Sequence, residues 1–252
     1  MTNREKYNFD YFTIDNYNTL VKLAVDKGFK FLTYTDDLLH SDRKEILWRH
    51  DVEFSPEIAL QMAKIEHKHG VTATYFFQIH SEFYNLFEPF HTKILKEIQS
   101  LGHEIGLHFD AHYYNIQNPE ALDKYITLDK EYFEKVFDIH LRVFSFHNTN
   151  QFILSCEDFK YGGLINVYSK FFKTNYNYCS DSTGFWRYEI LDEVLSNENI
   201  RYLQVLTHDA MWSKTIMSPR QRVRSSIEHE SERIKARYDE LLEIFGANNI
   251  DD

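Results

Sequence analysis

Residues that cross-link or interrupt a chain are scarce in this sequence, which has 2 cysteines, 4 prolines and 8 glycines among 252 residues. Cys156 and Cys179 match no metal-binding or redox spacing. They are either free thiols, which suit a reducing compartment, or the two ends of one bridge. The sequence contains no internal repeat, no low-complexity stretch and no linker rich in proline and glycine. We therefore expect residues 1–252 to form a single domain with one substantial core.

Positive charge is scarce as well. Lys and Arg number 28, whereas Asp and Glu number 39, so the formal net charge is −11. A field of that sign repels nucleic acid and anionic membranes, and no basic run interrupts it. Nucleic-acid binding is therefore excluded from the functions that we consider.

Long apolar stretches are absent. No segment approaches the length of a membrane span, and residues 1–15 are polar and acidic, without the apolar region of a signal peptide. We expect a cytoplasmic protein without a membrane span. Secretion directed by a signal that this sequence lacks is the alternative.

Aromatic residues are abundant, by contrast, with 21 Phe and 17 Tyr. Most of them are expected to fill the core. Aromatic side chains also line clefts whose walls stack on flat faces such as sugar rings, so the composition is compatible with a carbohydrate ligand.

Five segments carry the signals of helix starts and ends. Ser55-Pro56-Glu57 offers a capping hydroxyl, a proline in the first turn and an acid near the positive end of the helix dipole. Asp15 or Asn16 is the expected cap of the first helix. The predicted helices cover residues 16–28, 55–70, 91–101, 118–137 and 218–246.

Short apolar runs of strand length lie between these helices. They cover residues 46–48, 72–77, 104–107, 142–146, 176–179 and 202–206. The alternation of strands and helices indicates an α/β fold whose parallel strands are joined by crossover helices.

Nearly every predicted strand ends at residues capable of chemistry. These residues are Arg49, His50, Asp51, Gln78, His80, His108, His147, Asp181, His208 and Asp209. The carboxyl ends of parallel strands emerge at one edge of the sheet, which is where active sites gather. We therefore expect these side chains to contribute to one site.

Two short motifs predict a metal site and a proton acceptor. His108 and His112 are four residues apart and would share one cation if the segment turned helically. Asp51 and Glu53 would point the same way from an extended segment, one as a metal ligand and the other as a proton acceptor. The alternative is that both acids stabilise the helix that follows, although Ser55 fits the capping role better.

Three further residues have two interpretations each. His208 is either a general acid or a buried histidine of the core. Asp181 either orients a catalytic partner or caps a turn, and His147 either contacts substrate or is structural. The loop that follows Asp181 contains Trp186 and Arg187 and has the composition of a polar loop with an aromatic wall.

Taken in order, these motifs resemble those of the polysaccharide deacetylase family (the NodB-homology domain, carbohydrate esterase family four). The resemblance is greatest to the branch whose first motif reads His-Asp-Val-Asp, and it extends from about residue 46 to residue 212. The matching segments, in the family's order, are RHDVEFSPE, ATYFF, LGHEIGLHFDAH, FSFHN, DSTGFWR and LTHDAMW.

The resemblance implies a distorted (β/α) barrel of parallel strands that binds one divalent cation, often zinc. Here the C-terminal helix 218–246 would follow this barrel. Carried over position by position, the metal ligands would be Glu53, His108 and His112. Asp51 would be the base and His208 the acid.

The implied reaction is removal of an N-acetyl group from a sugar or glycan intermediate, as in polysaccharide biosynthesis. Asp181 and Trp186 fall on the family's fourth motif, and Asp181 would orient the catalytic acid. Around the carbohydrate substrate we expect His147, Arg187 and the two tryptophans Trp186 and Trp212, which would stack on the sugar.

Two departures from the family's pattern favour an alternative function. Glu53 stands where the family has Asp, and residues 145–148 contain neither the arginine nor the proline of the third motif. In this alternative the fold has kept its cleft and lost its chemistry, as a glycan-binding or assembly protein.

A further alternative is an iron oxygenase with a two-histidine, one-carboxylate site. His108, Asp110 and His208 would be its ligands, and Arg220 would anchor an oxo acid. Such chemistry normally occupies an antiparallel jelly roll, which the predicted helices disfavour.

Overall fold

The structure, a computed structural model, describes residues 1–250, in which strands and helices alternate along most of the chain. The strands are β1 (Phe29–Phe31), β2 (Lys44–Val52), β3 (Thr74–Phe77), β4 (Glu104–Phe109), β5 (Val143–Phe146), β6 (Lys160–Tyr161), β7 (Leu164–Asn166), β8 (Asn177–Ser180) and β9 (Tyr202–His208). The α-helices are α1 (Asn3–Lys6), α2 (Ile14–Asp26), α3 (Pro56–Lys68), α4 (Pro89–Ser100), α5 (Pro119–Phe137), α6 (Gln151–Ser155), α7 (Lys170–Asn175), α8 (Leu191–Ser196) and α9 (Pro219–Phe245). Short 3-10 turns lie at Phe9–Tyr11, Ser182–Gly184 and Asp209–Met211.

A single sheet contains these strands. Its order is β6-β7-β5-β4-β3-β2-β9-β8, and β1 pairs with the first residues of β2. Each pair of neighbouring strands is parallel except β6 and β7, which are antiparallel. The parallel α/β arrangement predicted from the alternation of elements is therefore confirmed.

The sheet curls so that its two ends approach each other. Leu47 and Phe76, from central strands, share an apolar cluster with Val167 and Phe172, which follow β7. The Gln204 amide of β9 also donates a hydrogen bond to the Val167 carbonyl oxygen, at 3.5 Å. Because β5, β4, β3 and β2 lie between β7 and β9, these contacts require strong curvature. In the described part of the chain no ladder joins β6 to β8, so the predicted barrel is a half-barrel with an open seam.

Three strands are longer than predicted and contain site residues. β2 continues to Val52, β4 to Phe109 and β9 to His208. Nearly all of their positions are buried, as is usual for parallel strands covered on both faces. The strands therefore continue through the polar residues near their ends. Hydrogen bonds between the strand backbones hold these polar residues in place.

The two faces of β2 contact different parts of the molecule. Leu47 belongs to the cluster inside the curl, whereas Trp48 belongs to the larger core that helices α2 to α5 build outside it. His50 shares the outer face, where its Nε2 lies 2.8 Å from Glu66 Oε1 and its Nδ1 lies 2.8 Å from Thr207 Oγ1. The histidine of the first motif is therefore a buried packing residue behind the site.

The predicted helix starts are correct where a capping side chain precedes a proline. The side chains of Ser55, Asn118 and Ser218 accept backbone N–H groups at the starts of α3, α5 and α9. The first helix begins earlier than predicted, with Thr13 as its cap in place of Asp15 or Asn16.

The predicted C-terminal helix is present as α9. Its first turns pack on the domain, where Arg222 donates hydrogen bonds to the carbonyl oxygens of Gly184 and Phe9. Ile227 and Ile234, part of its predicted apolar stripe, are 44% and 55% exposed. None of the helices among residues 1–250 has both the length and the apolarity that a membrane crossing requires.

Gly106 of β4 leaves room for the Phe76 ring below the site. A Cβ atom on Gly106 would lie 2.5 Å from two carbons of that ring and 3.2 Å from Val143 Cγ1. Both neighbours are fully buried and have little room to move. We expect Gly106→Ala to lower the free energy of unfolding by about 1–3 kcal/mol, as measured by urea denaturation. A loss below about 0.5 kcal/mol would show that the Phe76 ring moves aside freely.

Candidate active site

Several of the predicted site residues meet at the carboxyl ends of β2, β4, β5 and β9. Asp51 and His208 are paired neighbours on β2 and β9, and His108 is paired with Ser145 on β4 and β5. A cavity of about 410 Å³ opens there. It is lined by Asp51, Glu53, Phe54, Phe146, Asn148, Thr149, Tyr168, Ser182, Thr183, Arg187, Leu206, His208 and Met211. The strand ends thus form one polar cleft with aromatic walls.

A group of three potential metal ligands lies at one side of this cleft. Glu53 Oε1 lies 3.1 Å from His108 Nε2 and 2.8 Å from His147 Nδ1. The two histidine nitrogens are 3.2 Å apart. One carboxylate and two imidazoles within this distance form a donor set that suits zinc or a similar divalent cation.

The protonation of this group reflects the same proximity. Burial raises the pKa of Glu53, but hydrogen bonds from His108 and His147 outweigh it and hold the pKa well below its usual range. Burial lowers the pKa of His147, and the Glu53 carboxylate more than reverses the effect, so that this pKa is raised. A full negative charge on Glu53 therefore draws positive charge to this position, as a cation site requires.

Ser145 links the ligand group to Asp51. Its hydroxyl lies 2.7 Å from His108 Nδ1 and donates to Asp51 Oδ1 at 3.0 Å. Since that hydroxyl proton is given to Asp51, the serine oxygen accepts from His108 Nδ1. Loss of the Nε2 proton to a bound cation would then leave a lone pair that faces Glu53 and His147. Sequence reasoning missed this role of Ser145, although the residue lies inside the FSFHN segment.

Asp51 itself lies in the cleft beside the ligand group. Its Oδ2 is 3.7 Å from Arg49 Nη2 and 3.9 Å from His108 Nδ1. The side chain is buried at the floor of the cleft, close to the three ligands without sharing their group. Asp51 is therefore available as a proton acceptor.

His208 and Asp181 form a second functional unit. His208 Nδ1 lies 2.6 Å from Asp181 Oδ1, and the His208 backbone N–H donates to the same carboxylate at 3.1 Å. Burial lowers the pKa of His208, but the charge and hydrogen bond of Asp181 raise it to about 10. Asp181 therefore contacts both the ring and the backbone of His208, and its role in orienting a catalytic acid stays a prediction.

Asp209 fixes the segment that carries Glu53. Its carboxylate accepts the backbone N–H groups of Glu53, at 2.9 Å, and of Phe54 and Ser55. The segment after β2 is thereby tied to the end of β9. The sequence signal was the position of Asp209 directly after His208, which indicated a polar strand end but not this clamp.

His112 is placed outside the ligand group, contrary to prediction. The side chain is exposed, and its Nε2 lies 2.6 Å from the Asn148 carbonyl oxygen. His108 lies within β4 and the chain then turns, so the two histidines do not share a helical face. His147, predicted as a substrate contact or structural residue, takes the third position.

The two tryptophans are also placed differently from the prediction. Trp212 is 0% exposed, and its Nε1 donates to Asp181 Oδ2 at 2.9 Å, so it has no surface with which to stack on a sugar. Trp186 packs against Phe12 and Trp212, with ring centroids 5.6 and 6.1 Å apart. Both rings belong to an aromatic cluster, whereas Arg187 lines the cleft. A contact between Arg187 and substrate stays a prediction.

The arrangement contradicts the iron-oxygenase alternative. Its antiparallel jelly roll is absent from the described residues, whose sheet is parallel apart from one pair of strands. Asp110 is occupied as a turn cap, because its Oδ1 accepts the backbone N–H groups of His112 and Tyr113.

A second group of ligand-type side chains, Glu88, His91 and Glu230, lies between α4 and α9. The Arg233 guanidinium bonds both carboxylates, at 2.6 Å to Glu88 and 2.7 Å to Glu230. An internal cation therefore already satisfies this group, unlike the one in the cleft.

No family model matches the chain, and no curated protein matches it. Among solved structures, it is similar to the Xyl-CE4 domain of a multidomain xylanase from the hindgut metagenome of Trinervitermes trinervoides. That match has a TM-score of 0.44 and 14% identity, and it covers 81% of this chain and 92% of the other. A family 4 carbohydrate esterase from Bacillus anthracis matches with a TM-score of 0.44 and 15% identity, over 85% of this chain and 86% of the other.

The Streptococcus pyogenes deacetylase PplD, in complex with acetate, matches with a TM-score of 0.43 and 13% identity, over 85% of this chain and 86% of the other. Similarity at this level assigns no activity to the present chain.

Proposed function

We propose that the protein is a metal-dependent hydrolase that removes the acetyl group from an N-acetylated sugar. The observation that carries this proposal is the meeting of three units in one cleft. They are the ligand group Glu53, His108 and His147, the free carboxylate of Asp51 and the His208–Asp181 pair. Amide hydrolysis requires these functions together: an electrophilic centre, a proton acceptor and a proton donor.

The ligand group would hold one divalent cation, for which zinc is the best match to the donors. Bound there, the cation would polarise the acyl carbonyl and stabilise the charge that develops on its oxygen. The protein's part is to hold the donors in place. Ser145 fixes the orientation of the His108 ring, and Asp209 fixes the backbone at Glu53.

Asp51 would act as the general base. One of its oxygens accepts the Ser145 hydroxyl, which leaves the other to take the proton from the attacking water. Asp51 on β2 is directly paired with His208 on β9, which places base and acid at the same level of the sheet.

His208 would act as the general acid. Asp181 holds the ring through Nδ1 and keeps the imidazole protonated, because the pKa is raised to about 10. The proton on Nε2 is then available for the departing amine nitrogen, which cannot leave as an anion. Phe54, Phe146 and Tyr168 supply the aromatic walls of the cleft for the sugar.

Asp181→Asn should move the alkaline limb of the pH–rate profile to lower pH. The protonated form of His208 is the active one, so turnover falls as the pH rises through the pKa of this residue. Loss of the Asp181 charge should lower that pKa by about 1–3 units. The measurement is kcat/KM between pH 6 and pH 10 for both proteins. An unchanged alkaline limb with lower overall activity would assign Asp181 a structural role only.

The decisive test of the proposal combines metal content with product detection. Protein purified without chelator or tag-bound nickel is analysed for metal and then incubated with N-acetylated sugars, and free acetate is measured. We expect bound zinc or a similar ion and metal-dependent release of acetate. Tight sugar binding by the metal-loaded protein without any release would favour the glycan-binding alternative.

A further inference from the structure

A second compartment opens from the catalytic cleft toward the seam of the half-barrel. Its cavity measures about 410 Å³ and shares Thr149, Tyr168, Ser182 and Arg187 with the catalytic cleft. Arg49 and Lys173 also line it. The two cavities therefore adjoin, and a ligand in the cleft could extend into this compartment.

The charge of this compartment differs in sign from that of the chain. Arg49, Lys173 and Arg187 line it, and none of its described lining residues is an Asp or a Glu. The whole chain carries a net charge of −11, so a lining with three cations and no acid is a marked local exception. Two acids lie outside the lining, with Asp51 at 3.7 Å from Arg49 and Glu157 at 2.9 Å from Lys173. Such a pocket favours anions over neutral ligands.

Arg49 has unused hydrogen-bonding capacity in this compartment. It is 0% exposed, and its Nη2 donates to the Tyr168 hydroxyl at 3.0 Å. Asp51 is 3.7 Å from the same nitrogen. Neither Nε nor Nη1 of Arg49 has an acceptor among the described residues. Buried charged donors without acceptors are costly, which points to an acceptor that a ligand supplies.

We propose, as an extension of the function proposed above, that this compartment binds an anionic group, phosphate or carboxylate, carried by the N-acetylated sugar. Arg49 would bind that group at the floor of the compartment through its two free N–H donors. Lys173 and Arg187 would add positive charge, although Lys173 is partly engaged by Glu157 at 2.9 Å. The substrate class would then be an acidic or phosphorylated amino sugar rather than a neutral polymer.

Binding measurements test this proposal without any reference to turnover. The full-length, metal-loaded protein is titrated calorimetrically with N-acetylglucosamine, N-acetylglucosamine 1-phosphate and N-acetylmuramic acid, which carries a carboxylate. We expect at least one of the two anionic sugars to bind roughly tenfold more tightly than the neutral one. Which anion binds more tightly distinguishes phosphate from carboxylate recognition. Equal affinities for all three sugars would overturn the proposal.

Substitutions in the compartment show which residues cause the tighter binding of anionic sugars. We call the ratio of the affinity for an anionic sugar to the affinity for the neutral sugar the anionic advantage. Arg49→Gln should reduce this ratio to within about threefold while leaving the affinity for the neutral sugar unchanged. Arg49 is fully buried, so its replacement can also disturb the fold, and a second test uses the exposed residue Lys173. Lys173→Gln is compared with Lys170→Gln, which removes the same charge from the same helix at a position that does not line the compartment. A smaller anionic advantage in Lys173→Gln than in Lys170→Gln is expected. Equal loss in both variants would indicate a general charge effect and contradict a specific site.

The cation site is the competing location for an anion. His147→Ala, which removes a proposed ligand, should still bind the anionic sugars more tightly than the neutral one if Arg49 provides that preference. Disappearance of the advantage in His147→Ala, together with its persistence in Arg49→Gln, would overturn the proposal. Absence of acetate release from every sugar would contradict the proposed function and would leave this binding result intact.

Discussion

Asp51→Asn is expected to lose most turnover and to retain the bound cation. The carboxamide is nearly the same size and still accepts the Ser145 hydroxyl through its oxygen, but it cannot take a proton from water. General-base catalysis contributes about 10²–10⁴-fold, so kcat should fall by a factor in that range. The measurement is kcat for acetate release at saturating sugar, with metal content determined on the same samples.

Metal content is the internal control for this experiment. Asp51 lies next to the ligand group without belonging to it, so elemental analysis should give equal metal in both proteins. Full activity in Asp51→Asn would remove this residue from the mechanism. Loss of metal together with activity would instead make Asp51 a ligand.

His147→Ala is expected to lose the cation and, with it, activity. His147 Nδ1 lies 2.8 Å from Glu53 Oε1 and 3.2 Å from His108 Nε2, which makes it one of three donors. Loss of an outer-shell partner already weakens metal binding by about 10–100-fold, and loss of a direct ligand should exceed that. Elemental analysis and competition with a chromophoric chelator measure the change.

His112→Ala is the matched control, since it removes the other histidine that the sequence offered as a third ligand. Its imidazole is exposed and lies 2.6 Å from a backbone carbonyl oxygen, so metal content should remain as in the wild type. The opposite result, with metal lost in His112→Ala and retained in His147→Ala, would contradict the ligand group described here.

Several features of the fold and site could be predicted because they depend on local geometry. Ser55 caps α3 since the N-cap hydroxyl, the proline and the acid act within one turn. Asp51 and Glu53 enter the same cleft because side chains alternate with a period of two along an extended segment. The convergence of Asp51, His108 and His208 follows from parallel strands, whose carboxyl ends share an edge.

The third ligand and the roles of the aromatic residues could not be predicted in the same way. The spacing of His108 and His112 is compatible with a shared cation only in a helix, and β4 places His108 in a strand. His147 reaches the group because β5 lies beside β4, with Phe109 paired with Phe146. The sequence predicts that Trp212 lines the cleft. In the structure it is buried, because its Nε1 donates to Asp181 and Phe12 of the N-terminal segment packs against its ring.

By itself, the sequence determined the alternation of elements, the parallel sheet, the edge at which the site lies and the side chains of the first motif that face it. These properties follow from hydrophobic periodicity and from capping, which act over a few residues. Only the tertiary structure decided which histidine joins Glu53 and His108, and that Arg49 faces a second compartment with two free donors. Both depend on strand neighbours and on the curl of the sheet, which bring together residues far apart in the chain.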